Sequence, residues 1–418
     1  MYKILILFFS FSTLLVFGQS KMEYLKRNRF DLNDKKFEFP QKDFNIIGFG
    51  AYHGSAKTED VEIAILKSLI KDNLIKYYLP ETDYSTAYFF NKYLKNGDTI
   101  LLKDLVIQNG IRVKQERTIE VYHKWQHLKE INDLSPENQK IEVLGIDYQV
   151  NYKYTARHIL ELMDESVNTS MITQEIKNMV QTDTTSYALG DLSYAYAVLK
   201  KFVNDYEENK DNYINLVRDT ISLHHIIRNL KVSFEKKPER EKTIYENYLM
   251  LGSIYDFHSN SQFLRIGFSH IEKSREGKDG YPYFFTRLIE NNIYPKEKII
   301  SIIGYLTKSE VVWNELYDDF GKYTGFTVEG GFGIGDYEKE YFRGIENLKY
   351  AKTSDKTLFR LNENNSPYFI QEPDLIEIVM TDETSNGEAV KGMSTLDFLD
   401  YAVLISDSKA STPIFEMK

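Results

Sequence analysis

Apolar positions along the chain follow two rhythms. Short apolar runs at 44–49, 75–79, 141–145, 263–267, 299–306 and 402–405 are separated by longer stretches in which apolar residues return every three or four positions. Runs of about five apolar residues bounded by Gly or Pro mark strands buried on both faces of a parallel sheet. Between the first two runs, Thr58-Glu59-Asp60 reads as a helix N-cap with acids in the first turn, and Val61, Ile65, Leu69 and Ile70 follow at helical spacing. Strand, helix, strand in that order predicts a βαβ unit with a right-handed crossover. Residues 112–132 and 154–254 are helical by pattern, the longer stretch broken near Lys237-Pro238, and the region after 300 is mixed. No repeat with a period of about 20–50 residues is present, which argues against a solenoid. The expected fold class is α/β: a mostly parallel sheet flanked by helices, with a helical lobe over about 154–254 inserted between strands.

The N-terminus has a different pattern. Lys3 precedes a mostly apolar stretch, 4–17, which gives way to Gly18, Gln19 and Ser20. This reads as a secretory signal peptide, 1–18, cleaved behind Gly18. The stretch is short of the roughly 20 apolar residues that span a bilayer. The mature protein is therefore expected to be soluble, free of the membrane, and periplasmic or secreted. The 418 residues include no cysteine, so neither a disulfide nor a lipid-modified cysteine can form. A formal charge of −10 argues against nucleic acid or an anionic membrane as partner. The basic stretch 231–242 is interleaved with Glu235, Glu239 and Glu241 and reads as a solvated face. Tyrosine is common, at 31 residues, and suits a cleft that holds a mixed ligand.

Four of the apolar runs end at an ionisable residue: His53, Glu81, Asp147 and His270. Open α/β folds place their ligands at this carboxyl edge of the sheet. In Gly50-Ala51-Tyr52-His53-Gly54 the small neighbours leave the imidazole room to face a pocket, where it suits a general base for water. A loop histidine satisfied by local hydrogen bonds is the equal alternative. Glu81 follows Pro80 and could orient His53 or bind a substrate hydroxyl; with Thr82, Asp83 and Ser85 beside it, capping a helix is the competing role. Asp147 and Tyr52 are candidate substrate contacts. His270, in Gly267-Phe268-Ser269-His270, repeats the strand-then-histidine pattern. Two imidazoles with nearby carboxylates could hold a metal, yet no compact ligand spacing supports one, and no metal or cofactor is expected.

Other candidates are weaker. His123 and His127 are four apart on a helix, but Lys124 stands where a zinc protease needs glutamate. His224, His225 and His258 belong to no constellation. The glycine cluster 330–335 does not open a helix after a strand, so it is a poor phosphate loop. There is no Gly-x-Ser-x-Gly elbow, and no cysteine to act as a nucleophile.

Taken in order, these residues resemble the erythromycin-esterase-like family. Gly50-Ala51-Tyr52-His53-Gly54 is similar to that family's Gly-Glu-x-Thr-His-Gly motif, and Glu81 to its glutamate at the end of the next strand. The resemblance continues through 125–132, Gly145-Ile146-Asp147, Arg240-Glu241 with Asn247, Gly267-Phe268-Ser269-His270, Phe398-Leu399-Asp400-Tyr401 and Ala410-Ser411-Thr412-Pro413, and so spans about residues 40–415. It implies an α/β domain and a metal-independent hydrolase. In that reading His53 directs water at an ester or lactone carbonyl, with Glu81 and His270 in the same pocket and a small-molecule ester or lactone as the only partner. A non-catalytic protein binding haem, a metal or a small polar ligand on the same fold is the alternative. Three positions depart from the pattern: Ala51 lies where the motif glutamate is expected, Gly267 replaces the first histidine of the later pair, and Glu62 stands where an arginine is expected.

Overall fold

The computed structural model describes residues 21–163, 171–182, 193–330, 335–381 and 385–418. The expected signal peptide, 1–18, and positions 331–334 of the glycine cluster lie outside the described residues. In chain order the strands are β1 (Arg29–Asp31), β2 (Ile46–Gly50), β3 (Tyr77–Leu79), β4 (Glu142–Val143), β5 (Gln262–Ile266) and β6 (Ile299–Thr307). They continue with β7 (Glu310–Tyr317), β8 (Tyr323–Gly330), β9 (Glu340–Phe342), β10 (Lys356–Arg360), β11 (Ile378–Met380) and β12 (Tyr401–Ser406). The chain divides into two compact units, 1–74 with 263–413 and 75–262 with 414–418.

The first unit carries a sheet in the order β1-β10-β12-β6-β2-β5. Its centre is parallel, with β12 beside β6 and β6 beside β2. Its edge is antiparallel, with β1 on β10 and β10 on β12. Every residue of β2, β5, β6 and β12 is buried, so β2, β6 and β12 are mostly apolar without alternation, while β5 carries Gln262 and Arg265, whose side chains bond inside the protein. Helix Ala56–Lys71 lays Val61, Ile65, Leu66, Leu69 and Ile70 into this core.

That helix starts earlier than the pattern at Thr58 suggests. Its N-cap is Ser55, whose hydroxyl bonds Ser408 Oγ at 2.7 Å and leaves the helix uncapped by its own side chain. The 408–409 segment satisfies the first amides instead: Ala56 N donates to Lys409 O at 3.0 Å and Lys57 N to Ser408 Oγ at 3.0 Å. The first unit also holds two small antiparallel pairs, β7 with β8 and β9 with β11.

The second unit pairs β3 with β4 in parallel and is otherwise helical. Helices Tyr152–Leu162, Met171–Thr182, Tyr194–Glu208, Lys210–Leu216 and Thr220–Ser233 share a core built on Ile159, Ile176, Leu199, Phe202, Ile226 and Leu230. The break expected near Lys237-Pro238 separates helix Thr220–Ser233 from helix Arg240–Tyr255. The helix expected over 112–132 begins later, at Ile119, where Thr118 accepts from Val121 N at 3.3 Å. The fold is α/β with a helical lobe between strands, as the hydrophobic pattern indicates.

Candidate functional site

Tyr52, His53 and His270 belong to the first unit, and Glu81 and Asp147 to the second. In the first unit β2 ends at Gly50 and the chain turns through Ala51, Tyr52 and His53 to Gly54, whose φ of +82° is a left-handed conformation glycine adopts without strain. The loop after β5 runs through Gly267 into a short 3₁₀ turn, Phe268–Ile271. The two loops touch through their backbones: a Cβ on Gly50 would lie 2.5 Å from Phe268 Cα. Tyr52 packs on Phe268 with ring centroids 6.2 Å apart, and His270 meets Tyr283 edge-on at 6.1 Å. His53 and His270 are both partly exposed, with their Nδ1 atoms turned away from solvent. Each ring therefore turns its Nδ1 edge into the protein.

Carboxyls and phenols surround these loops. Burial raises the Tyr52 phenol above its ordinary pKa, and the Glu340 carboxylate adds to the effect. Burial, with Glu276 nearby, holds the Glu272 carboxyl well above the usual range, two residues beyond His270. Tyr305, raised by burial and by Glu272, donates to Leu375 O at 2.6 Å and packs edge-on against Phe342, which in turn meets Phe268. Glu272 is a candidate the sequence pattern did not reveal, because it belongs to no apolar run.

The second unit gathers a different set. Glu81 is buried and its Oε1 accepts from Arg240 Nη2 at 2.6 Å; Asp147 Oδ2 accepts from the same guanidinium at 2.7 and 2.9 Å. Arg112 pairs with Asp147 Oδ1 at 3.1 Å. Burial alone would lower the pKa of Arg240, but Asp147 and Glu81 outweigh it and raise it. Asp83, not Glu81, is the helix cap: its Oδ1 accepts from Thr86 N at 2.8 Å. Its Oδ2 accepts from Asn151 N at 3.1 Å and Val150 N at 3.3 Å, so one carboxylate both starts a helix and fixes the loop that carries Asp147. Asn247 donates to Ile146 O at 3.0 Å and exchanges bonds with Asn229. Arg240, which falls in the stretch read as a solvated face, is instead the centre of this cluster.

Of the six other histidines, His123, His127, His224 and His258 are exposed, His225 is buried beside Asn229 and His158 is buried beside Ser85. Among the described residues no three His, Asp or Glu side chains stand together as a metal site. Nor is any described helix long and apolar enough to cross a membrane.

No family model matches the chain, and no curated protein matches it. Solved structures do share its fold. A Bacillus cereus protein superposes with a TM-score of 0.59 at 16% identity, over 95% of this chain and 99% of that one. A succinoglycan biosynthesis protein gives 0.59 at 12% identity, over 94% and 98%. The erythromycin esterase EreC, a histidine-to-asparagine mutant in its open conformation, gives 0.54 at 12% identity, over 89% and 92%. At these identities the likeness is one of fold, and the fold is erythromycin-esterase-like.

Proposed function

We propose that the protein is an exported hydrolase of an ester or lactone, with His53 as the general base. The observation that carries this reading is the contact between two strand-end loops, each bearing a partly exposed histidine, in the first unit of a fold shared with an erythromycin esterase. His53 takes a proton from water as its oxygen attacks the substrate carbonyl, and a tetrahedral oxyanion forms. His270 and the Tyr52 phenol, a hydrogen-bond donor kept protonated by burial, stand on the two loops to receive that charge. Collapse expels the alkoxide, which takes the proton back from His53. Such a base contributes about 10²–10⁴-fold. Glu81 and Asp147 enter as the carboxylates that fix Arg240 in the second unit. Export is supported by Lys3, the apolar stretch 4–17 and the Gly18-Gln19-Ser20 that follows.

The test is hydrolysis of a panel of esters and lactones, macrolides included, by the mature protein beside His53→Ala. Turnover that disappears in the variant supports the reading. Turnover unchanged by the substitution refutes His53 as base, and no turnover on any substrate leaves a ligand-binding protein.

A further inference from the structure

Glu272 closes the short 3₁₀ turn, Phe268–Ile271, that carries His270. It is 5% exposed, and among the described residues no donor bonds its carboxyl and no cation pairs with it. A buried carboxyl without such partners takes up a proton rather than keep its charge. Burial, and then the field of the nearby Glu276, hold it well above the usual carboxylate range.

The turn is fastened on both sides of this group. Upstream, a Cβ on Gly50 would lie 2.5 Å from Phe268 Cα and one on Gly48 would lie 2.5 Å from Ile271 Cγ2. Within the turn His270 N donates to Gly267 O at 3.2 Å and Glu272 N to Ser269 O at 3.3 Å. Downstream, Thr286 Oγ1 donates to Glu272 O at 2.8 Å and Lys273 N to Phe398 O at 3.0 Å. With its backbone held this way, the Glu272 side chain reaches water only if the turn moves.

The charges around it are committed elsewhere. On its own segment the Lys273 ammonium bonds both oxygens of Asp400 at 2.8 and 2.9 Å, and Glu276 accepts from Asn386 Nδ2 at 2.8 Å. From β6 comes the Tyr305 hydroxyl, which donates to Leu375 O at 2.6 Å. Helix Phe284–Glu290 brings Arg287, bonded to Pro282 O at 2.9 Å, and Glu290, paired with Arg275 at 2.7 Å. His270 is the remaining titratable group of the turn.

We propose that Glu272 is a proton-operated latch on the His270 turn: as the neutral acid it stays inside and keeps the turn closed, and as the carboxylate it draws the turn open towards water. The latch belongs to the first unit alone and does not depend on which reaction the histidine loops perform.

The folded value lies above the unfolded value of about 4.3, so the unfolded or opened chain gives up its proton first. The cost to the fold is absent below about 4.3 and grows as the pH rises towards the folded value. Glu272→Gln keeps the shape of the neutral acid and cannot ionise. In urea titrations from about pH 5 to about pH 9, the unfolding constant of the parent is expected to rise over that of Glu272→Gln by up to about tenfold per unit of pH. Amide exchange over 267–273, corrected for its intrinsic base dependence and read by mass spectrometry, is expected to quicken with pH in the parent and not in Glu272→Gln. Glu276→Gln removes the like charge and is expected to shrink both differences.

The three responses together establish the latch. Equal exchange over 267–273 in the parent and Glu272→Gln at every pH overturns it, even where stability follows the pH as expected, because the acid would then be released only with the whole unit. A Glu272→Gln protein no more stable than the parent at the alkaline end overturns it as well. So does a Glu272→Gln chain that fails to fold, since the neutral form is the one the closed turn is proposed to hold.

Discussion

Glu62 Oε2 lies 3.4 Å from Arg265 Nε, and neither side chain is more than 1% exposed. An erythromycin-esterase-like sequence leads one to expect an arginine near position 62. Here the carboxylate stands on the helix and the guanidinium comes from β5, stacked 5.3 Å from the Phe49 ring and bonded to Ile266 O at 2.9 Å. Breaking a buried pair strands one charge and costs about 3–5 kcal/mol. Glu62→Ala or Arg265→Ala alone is expected to lower unfolding stability by that amount in urea titrations. The double variant Glu62→Ala with Arg265→Ala is expected to cost less than the two single losses summed. Strict additivity would show that the pair does not interact.

Arg240 is the second charged centre. Its planar guanidinium reaches Glu81 and Asp147 together, which a lysine ammonium cannot do with the same fork. Arg240→Ala is expected to destabilise the protein by roughly 2–4 kcal/mol, and Arg240→Lys to restore less than half of the loss. Thermal melts read both. A lysine variant as stable as the parent would mean that charge alone matters there.

Two buried imidazoles are expected to weaken the fold in acid. His158 stacks on Tyr88 at 4.0 Å and bonds Ser85 Oγ at 3.2 Å, and burial lowers its pKa to about 4. Burial, then Arg228 with His224 and His158, lowers His225 to about 3. Both fall below the unfolded value of about 6.5, so the unfolded chain takes up protons first. Their contribution is complete above that value and is lost as the pH falls towards about 4 and then about 3, on the order of 3–5 kcal/mol each. His158→Phe combined with His225→Leu is expected to move the acid-unfolding midpoint lower by about half a unit or more in circular dichroism. An unchanged midpoint would assign acid unfolding to other groups.

The contact between the two histidine loops rests on a missing side chain. A Cβ at position 50 would fall 2.5 Å from Phe268 Cα and 3.0 Å from Phe268 N, both backbone atoms that cannot swing aside. Gly50→Ala is therefore expected to push the loops apart, costing roughly 1–3 kcal/mol as overpacking and lowering the proposed hydrolysis more than substrate binding. Crystallography of the variant would show the displacement. Unmoved loops with full activity would contradict the proposed site.

Burial decides which elements are legible in the sequence. β2, β6 and β12 are covered on both faces, so their apolar runs announce them; in β5 the run is interrupted by Arg265, which is paired with Glu62. β10 lies between β1 and β12, but its five residues begin with Lys356 and end with Arg360, and no apolar run marks it. His53 and His270 are visible because each sits at the end of a run. Arg240 is not, since its partners Asp147 and Glu81 lie 93 and 159 positions away and nothing local distinguishes it from the lysines around it. The same holds for the start of helix Ala56–Lys71, whose first amides are satisfied by residues 408 and 409.

β12 lies between β10 and β6. It is the last strand of that sheet in chain order. Until Tyr401–Ser406 docks, β6 keeps one edge open. An open edge is a template for pairing with another chain, and all nine residues of β6 are buried in the finished sheet. The final strand therefore serves as the seal on the centre of the sheet.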